Sequence, residues 1–328
     1  MIYVQFFVLS ALIVFAAMQL AKYGDVIAIR TGLGGMFIGL LLMAGATSLP
    51  EVLTTISAMG QGVPDLAAGN LLGSNMFNMF ILAILDLIYR KKRLLRKAAL
   101  KHALSGSLAV FIIGLAVFFI LADLPFTIGW VGVDSLAVMA IYVVAMRLIQ
   151  TSSQPVHAVQ PFEIPAEIPG LRRGLVGFGL AAAALMVVTP MMVRSSNQIA
   201  EITGLGTTFI GTTLVALVTS LPELVTTLAA LSLGADDMAI GNLFGSNLFN
   251  MFALGLTDLF YLQGRFIGVV DPAFLLVGMI GLLMTGMGLI GNLARLERRV
   301  LFIEVDALAL ILAYFAGMYL LYLRGVAG

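Results

Sequence analysis

Cysteine is absent from this 328-residue chain, which excludes disulfides and thiolate-bound metals. Histidine is nearly absent: His102 and His157 both fall in or beside expected loops, so a zinc site within the apolar part of the chain has no ligands to draw on. Charge is scarce as well. Asp, Glu, Lys and Arg make up 11% of the residues, against about 25% in soluble domains. Hydrophobic residues reach 61%, with a mean hydropathy of +1.07, more apolar surface than a soluble globule of this length can hide. The net charge of +1 says nothing about partners, and no nucleic-acid partner is expected; the expected partner is the lipid bilayer.

What the chain has is a series of apolar runs near 2–21, 33–60, 66–88, 100–121, 126–149, 172–193, 205–232, 237–262, 271–292 and 301–323. Each approaches or exceeds the ~20 residues that cross a hydrocarbon core. In lipid such segments must be helices, because every backbone polar group needs a partner within its own segment. The first run lacks a basic leader and a small-residue cleavage site, and so reads as a retained helix. The fold expected is an all-α polytopic membrane protein of ten transmembrane helices. With the N-terminus outside, Lys22, Arg30, the seven basic residues from Arg90 to Lys101, Arg147, Arg172, Arg173, Arg295, Arg298 and Arg299 fall inside, leaving Arg194, Arg265 and Arg324 outside. That asymmetry satisfies the positive-inside rule and puts both termini outside a plasma (inner) membrane.

The sequence repeats itself 172 residues on, from position 31 to position 203. TGLGGMFIG at 31–39 returns as TGLGTTFIG at 203–211, TSLPEVLTT at 47–55 as TSLPELVTT at 219–227, and GNLLGSNMFNMF at 69–80 as GNLFGSNLFNMF at 241–252. Residues 31–87 and 203–259 agree at 33 of 57 positions without a gap. Five helices per copy, an odd number, means that the second copy enters the membrane inverted, a plan found in secondary transporters with a midplane binding site. The expected units are a first five-helix repeat at 1–149, an inner linker at 150–171 carrying Pro155, Pro161, Pro165 and Pro169, and a second, inverted five-helix repeat at 172–328.

The residues that carry chemistry lie inside the repeats. Thr47, Ser48, Leu49, Pro50 and Glu51 are matched by Thr219, Ser220, Leu221, Pro222 and Glu223, about half-way along apolar segments. Proline within a helix removes one backbone hydrogen bond and clashes with the preceding turn, and in lipid a freed carbonyl is tolerated only at a cavity or a ligand. Each pentapeptide thus offers carbonyl, hydroxyl and carboxylate oxygens together. A buried carboxylate costs several kcal/mol unless it is neutralised; a proton held by a neighbouring hydroxyl would do this, but two matched glutamates on proline-broken helices favour a cation. Asn70, Ser74 and Asn78 share one helix face, as do Asn242, Ser246 and Asn250. Coordination is the preferred role for Asn78 and Asn250, whereas Asn70, Asn75, Asn242 and Asn247 serve equally well as interhelical glue. Asp86 and Asp258 read as interfacial acids or helix-end partners, and Thr54, Thr55, Thr226 and Thr227 as hydroxyls bonded to backbone carbonyls. An all-oxygen set suits Ca²⁺, Na⁺ and Mn²⁺ better than soft metals, with Mg²⁺ a poorer fit. No cofactor is implied; the ions are cargo.

These paired motifs resemble the α-repeats of the calcium/cation antiporter superfamily, especially its sodium/calcium exchanger branch, over both halves of the chain. The resemblance implies a ten-helix core with ions held between the second, third, seventh and eighth helices. Its coordinating positions fall on Thr47, Ser48, Glu51, Ser74 and Asn78, and on Thr219, Ser220, Glu223, Ser246 and Asn250. It also implies Na⁺/Ca²⁺ antiport by alternating access, with the first and sixth helices moving. Two positions depart from the family pattern: Ala46 and Val218 stand where glycine is usual, and Asn250 where many sodium/calcium exchangers carry aspartate. The second leaves two carboxylates at the core and points to fewer Na⁺ per Ca²⁺, or to protons as counter-ions. H⁺/Ca²⁺ or other divalent exchange is the alternative within the class. A channel and an intramembrane enzyme are the readings outside it; the motifs hold no Ser/Lys or metal-binding His set that would serve the latter.

Overall fold

The computed structural model describes residues 1–31, 45–89, 94, 102–152, 168–232, 234–294, 299–300 and 303–327. The segment 32–44, most of the basic stretch 90–101, most of the linker 150–171, and His157, Arg295 and Arg298 lie outside the described residues.

The helices are α1 (Ile2–Thr31), α2 (Leu49–Gly60), α3 (Pro64–Ile88), α4 (Ala103–Ala122), α5 (Val133–Ser152), α6 (Leu171–Thr203), α7 (Thr207–Ile210), α8 (Ala216–Thr219), α9 (Leu221–Ser232), α10 (Asp236–Thr257), α11 (Phe266–Val269), α12 (Ala273–Ala294) and α13 (Val305–Ala327), with a π-helical turn at Gly211–Val215. Two small antiparallel hairpins complete the fold, β1 (Thr127–Ile128) with β2 (Val131–Gly132) and β3 (Arg299–Val300) with β4 (Ile303–Glu304). Among the described residues, eight helices are long and apolar enough to cross a membrane, Thr207–Ser232 counted as one. The protein is an integral membrane protein.

Several boundaries differ from those read off hydropathy. Helix α1 runs ten residues further and carries Lys22 and Arg30 inside it rather than in a loop. Nothing there breaks a helix, and long basic side chains keep their charged ends in a polar setting while the helix continues. The Arg30 guanidinium donates to the carbonyls of Pro169, at 2.9 Å, and Ile168. Helix α6 likewise continues through Pro190 to Thr203 and ends at Gly204, φ +68°. The apolar run at 126–149 begins with the β1–β2 hairpin before α5 starts at Val133.

The sequence offset recurs in the elements. Helices α2 and α9 span 49–60 and 221–232, and the hairpins begin at 127 and 299. Gly62 and Gly234, at φ +70° and +79°, turn the chain from α2 into α3 and from α9 into α10. In each turn the residue that follows donates back into the helix, Val63 N to Ala58 O at 3.0 Å and Ala235 N to Ala230 O at 2.9 Å. This is the glycine-capped helix end that satisfies stranded carbonyls, and only glycine takes that backbone conformation without strain.

Helices α3 and α10 form the centre. Small residues set how close their neighbours come: Gly69 and Gly73 of α3 lie against the backbone of Gly211 and Thr212, and a Cβ on Gly73 would fall 2.5 Å from Thr212 O. Around this centre α4, α5, α12 and α13 turn outward apolar side chains such as Phe111, Phe118, Leu148, Leu283 and Phe315, the surface that a bilayer covers. Helix α1 packs chiefly along α6, with Gly177 against the Tyr23 ring and Gly174 against Val26.

Asp258 is the helix-end partner expected of it, and is fully buried. It accepts from Gly132 N at 2.6 Å and from Phe266 N, tying the first hairpin to the end of α10. Arg265 closes the same end on Asp134, at 3.1 Å, and on Asp123. At the matching end of the other repeat, Asp86, Glu304 and Asp306 bring carboxylate oxygens within 4.8 Å of one another.

Candidate cation site

The two proline motifs interrupt their helices at one residue each. Ser48 has φ −88°, ψ 7° and Ser220 φ −89°, ψ 2°, in the sparsely populated bridge region where many site residues sit. Pro50 and Pro222 have no N–H for the preceding turn, and the helices resume as Val52 N donates to Ser48 O at 3.3 Å and Leu224 N to Ser220 O at 3.2 Å. Before the second motif the helix also widens into the π-helical turn Gly211–Val215, an irregularity frequent near functional sites.

Glu51 and Glu223 are each 1% exposed. Their hydroxyl partners come from the opposite repeat: Ser48 Oγ donates to Glu223 Oε1 at 2.9 Å, and Ser220 Oγ to Glu51 Oε1 at 3.3 Å. Thr219 Oγ1 makes a different crossing, donating to Asn70 Oδ1 at 2.9 Å. Ser246 Oγ, from the same repeat as Glu223, adds a second donor to its Oε1, at 3.3 Å.

The remaining oxygens of the set are unsatisfied. Glu51 Oε2, Glu223 Oε2, Ser74 Oγ, Asn78 Oδ1 and Asn250 Oδ1 are buried with no hydrogen-bond partner among the described residues. Native interiors rarely leave buried polar atoms unpaired, and each that stays so calls for an explanation. The unpartnered atoms are carboxylate, hydroxyl and amide oxygens on α2, α3, α9 and α10, the donor types that hard cations take.

Other polar residues of the repeats hold the frame. Asn70 donates to Glu51 O at 3.1 Å and to Thr55 Oγ1 at 3.4 Å, and accepts from Thr219 Oγ1 at 2.9 Å. Asn242 donates to Thr226 and Thr227 at 3.1 and 3.2 Å. Thr55 bonds Glu51 O, and Thr226 bonds Pro222 O. These two asparagines and two threonines brace the segments that carry the glutamates, the bland role allowed them by the sequence. Thr54 Oγ1, read as bonded to a backbone carbonyl, has no partner among the described residues.

The sequence left Asn75 and Asn247 open between coordination and interhelical glue, and the structure shows each bonded to an asparagine of the other repeat. Asn78 Nδ2 donates to Asn247 Oδ1 at 2.9 Å, and Asn250 Nδ2 to Asn75 Oδ1 at 3.0 Å. Each preferred ligand of one repeat is thus held by the three-residues-earlier asparagine of the other. The signal in the sequence was the doubled Asn-x-x-Asn spacing, which says nothing by itself about partners across the interface.

The sequence profile of the sodium/calcium exchanger protein family matches residues 1–149 and 173–323. The chain belongs to that family. Among its relatives, CaxA of Alkalimonas amylolytica is 28% identical over 323 residues, 95% of each chain. The sodium/calcium exchanger MaX1 of Methanosarcina acetivorans is 28% identical over 280 residues, 73% of this chain and 77% of that one. In fold the chain resembles the crystal structure of the H⁺/Ca²⁺ exchanger CAX, with a TM-score of 0.73 at 13% identity, covering 99% of this chain and 86% of that one.

Proposed function

We propose that this family member is a secondary active antiporter that exchanges Ca²⁺ for Na⁺ by alternating access, with the ions bound between Glu51 and Glu223. The observation that carries the reading is the crossed pair of hydrogen bonds, Ser48 to Glu223 and Ser220 to Glu51. Each carboxylate is served by the other repeat, so a cation that bridges the glutamates bridges the two halves. The ligand set proposed is Glu51, Glu223, Asn78, Asn250, Ser74 and Ser246, with Thr47, Ser48, Thr219 and Ser220 contributing hydroxyl or carbonyl oxygens at the helix breaks.

The architecture proposed with it has ten transmembrane helices in two inverted five-helix repeats, 1–149 and 172–328, and both termini outside. The second of the ten comprises residues 33–60, of which 45–60 are described. Helices α1 and α6, packed mainly on one another, form the pair that moves against the site-bearing core. The close fit of Gly174 and Gly177 onto Val26 and Tyr23 supports motion of that pair as one body. With Asn250 in place of an acid, the two carboxylates balance one Ca²⁺ or two Na⁺, fewer Na⁺ than a three-carboxylate site would take.

Radioactive Ca²⁺ flux in proteoliposomes tests both parts. Uptake is expected to follow an imposed Na⁺ gradient and to be lost in Glu51→Gln and Glu223→Gln. Wild-type flux in both variants refutes the site. Uptake driven by a pH gradient with Na⁺ removed moves the counter-ion to protons, and a Ca²⁺-dependent current reversing near a 3:1 potential removes the argument from Asn250.

A further inference from the structure

An amide side chain is a useful cation ligand only if its oxygen, and not its NH₂, faces the ion. The surrounding hydrogen bonds decide which. For Asn78 the deciding chain can be followed to its end. Thr285 Oγ1 donates its one hydrogen to Gly281 O at 2.7 Å, so toward any other neighbour it can only accept. Asn247 Nδ2 lies 3.3 Å from that hydroxyl and 3.4 Å from Asn75 O, two acceptors, so the NH₂ of Asn247 must point there. Its Oδ1 then faces α3, where it accepts from Asn78 Nδ2 at 2.9 Å. The NH₂ of Asn78 is thereby occupied, and its Oδ1 is the buried, unpartnered atom left over. All four groups are fully buried, so water is not at hand to substitute for a missing link.

The opposite pair has no such anchor. Asn250 Nδ2 donates to Asn75 Oδ1, but Asn75 Nδ2 has no partner among the described residues. The position in α4 that matches Thr285 across the repeat is Ile113, which offers no hydroxyl.

We infer that Thr285 and Asn247 are positioning residues for the cation site, fixing the carbonyl oxygen of Asn78 as a permanent ligand, while Asn250, held by an unanchored Asn75, is the ligand that can turn. This rests on the proposed role of Asn78 and Asn250 as ligands. Outer-shell partners of metal ligands typically change affinity by 10–100-fold when removed, and an anchor two links away belongs at the lower end.

The test uses the full chain in proteoliposomes and reads the half-saturating Ca²⁺ concentration and the maximal uptake rate separately. Thr285→Val, nearly isosteric but without the hydroxyl, is expected to raise half-saturation about 10-fold and leave the maximal rate and ion-free melting temperature near wild type. Thr285→Ser, which keeps the hydroxyl, is expected to match wild type, and Ile113→Val to change nothing. If valine is not tolerated, Thr285→Ala gives the same readout. Wild-type half-saturation in Thr285→Val, or equal impairment by valine and serine, overturns the inference. In the first case, loss of Ca²⁺ binding in Glu51→Gln and Asn78→Ala shows that the site itself stands; if those variants also bind normally, the site reading has failed first.

Discussion

Glutamine at position 223 separates the charge of the site from its shape. Glu223 Oε1 accepts from Ser48 at 2.9 Å and from Ser246 at 3.3 Å, whereas Oε2 has no partner among the described residues. A glutamine can keep its carbonyl oxygen toward the two serines and put its NH₂ where Oε2 stood, so the frame survives. Burying a carboxylate costs several kcal/mol, and the neutral side chain avoids that cost. Glu223→Gln in chelator is therefore expected to melt at or above the wild-type temperature. With Ca²⁺ at 100 times its dissociation constant the wild type gains about 2.7 kcal/mol, a rise of about 5–10 °C at about 2–4 °C per kcal/mol. Losing a charged ligand forfeits at least the ~1.5–3 kcal/mol of a charge-assisted bond, or about 10–150-fold in affinity. At the same Ca²⁺ concentration the variant's gain falls to between about 0.3 and 1.4 kcal/mol. Far-UV circular dichroism in detergent reads both temperatures, and suits a chain with one tryptophan and no cysteine for dyes to label. A full Ca²⁺-induced rise in Glu223→Gln, or an ion-free melting temperature well below wild type, refutes the reasoning.

Ser48→Ala should weaken Ca²⁺ binding more than Ser220→Ala, because its bond to the opposite carboxylate is 2.9 Å against 3.3 Å; equilibrium binding of radioactive Ca²⁺ to both variants ranks them, with about 1.5–3 kcal/mol the ceiling for the first. Gly73→Ala places a Cβ 2.5 Å from Thr212 O, a backbone atom that cannot swing aside, so overpacking by about 1–3 kcal/mol should lower the melting temperature in chelator, with Gly286→Ala, which meets no atom within 4 Å, as the control. Acidification should raise the half-saturating Ca²⁺ concentration of the wild type, since a protonated carboxylate no longer neutralises a cation; equilibrium binding of radioactive Ca²⁺ across pH checks this, and an affinity that does not fall on acidification refutes it.

Much of the fold was legible because its period and its interruptions are written in residue types. Pro50 and Pro222 announced the helix breaks, and the structure puts a one-residue turn at Ser48 and Ser220. The repeat foretold that an element seen once would be seen again, down to glycines with positive φ at 62 and 234. Helix ends were less legible. Hydropathy falls at Lys22 because the side chain is charged, yet lysine is a good helix former, so α1 continues to Thr31 while the apolar run stops at 21. The crossing of partners was not legible at all. Composition and spacing put Ser48 beside Glu51 in the chain, and only the packing of α2, α3, α9 and α10 reveals that Ser48 serves Glu223 and that Asn78 is held by Asn247. Asp258 shows the same limit: its place late in an apolar run suggested a boundary position, but the hairpin folds over it and buries it completely.

The crossed carboxylates also bear on why such a site would exchange ions rather than leak. An antiporter must reorient when loaded and must stay put when empty. Moving an equilibrium from 1:99 to 99:1 takes about 5.5 kcal/mol. Two carboxylates closed off from water without a counter-charge cost several kcal/mol each, which meets that figure from electrostatics alone. Hydroxyl donors from Ser48, Ser220 and Ser246 soften the penalty while the site is open to water, and do not cancel a net charge of two. One Ca²⁺ or two Na⁺ does cancel it. A third acid at position 250 would raise the barrier for the empty carrier and demand a third positive charge from the cargo; in the function proposed above, asparagine there would leave the same two charges to select the load and to oppose the empty return.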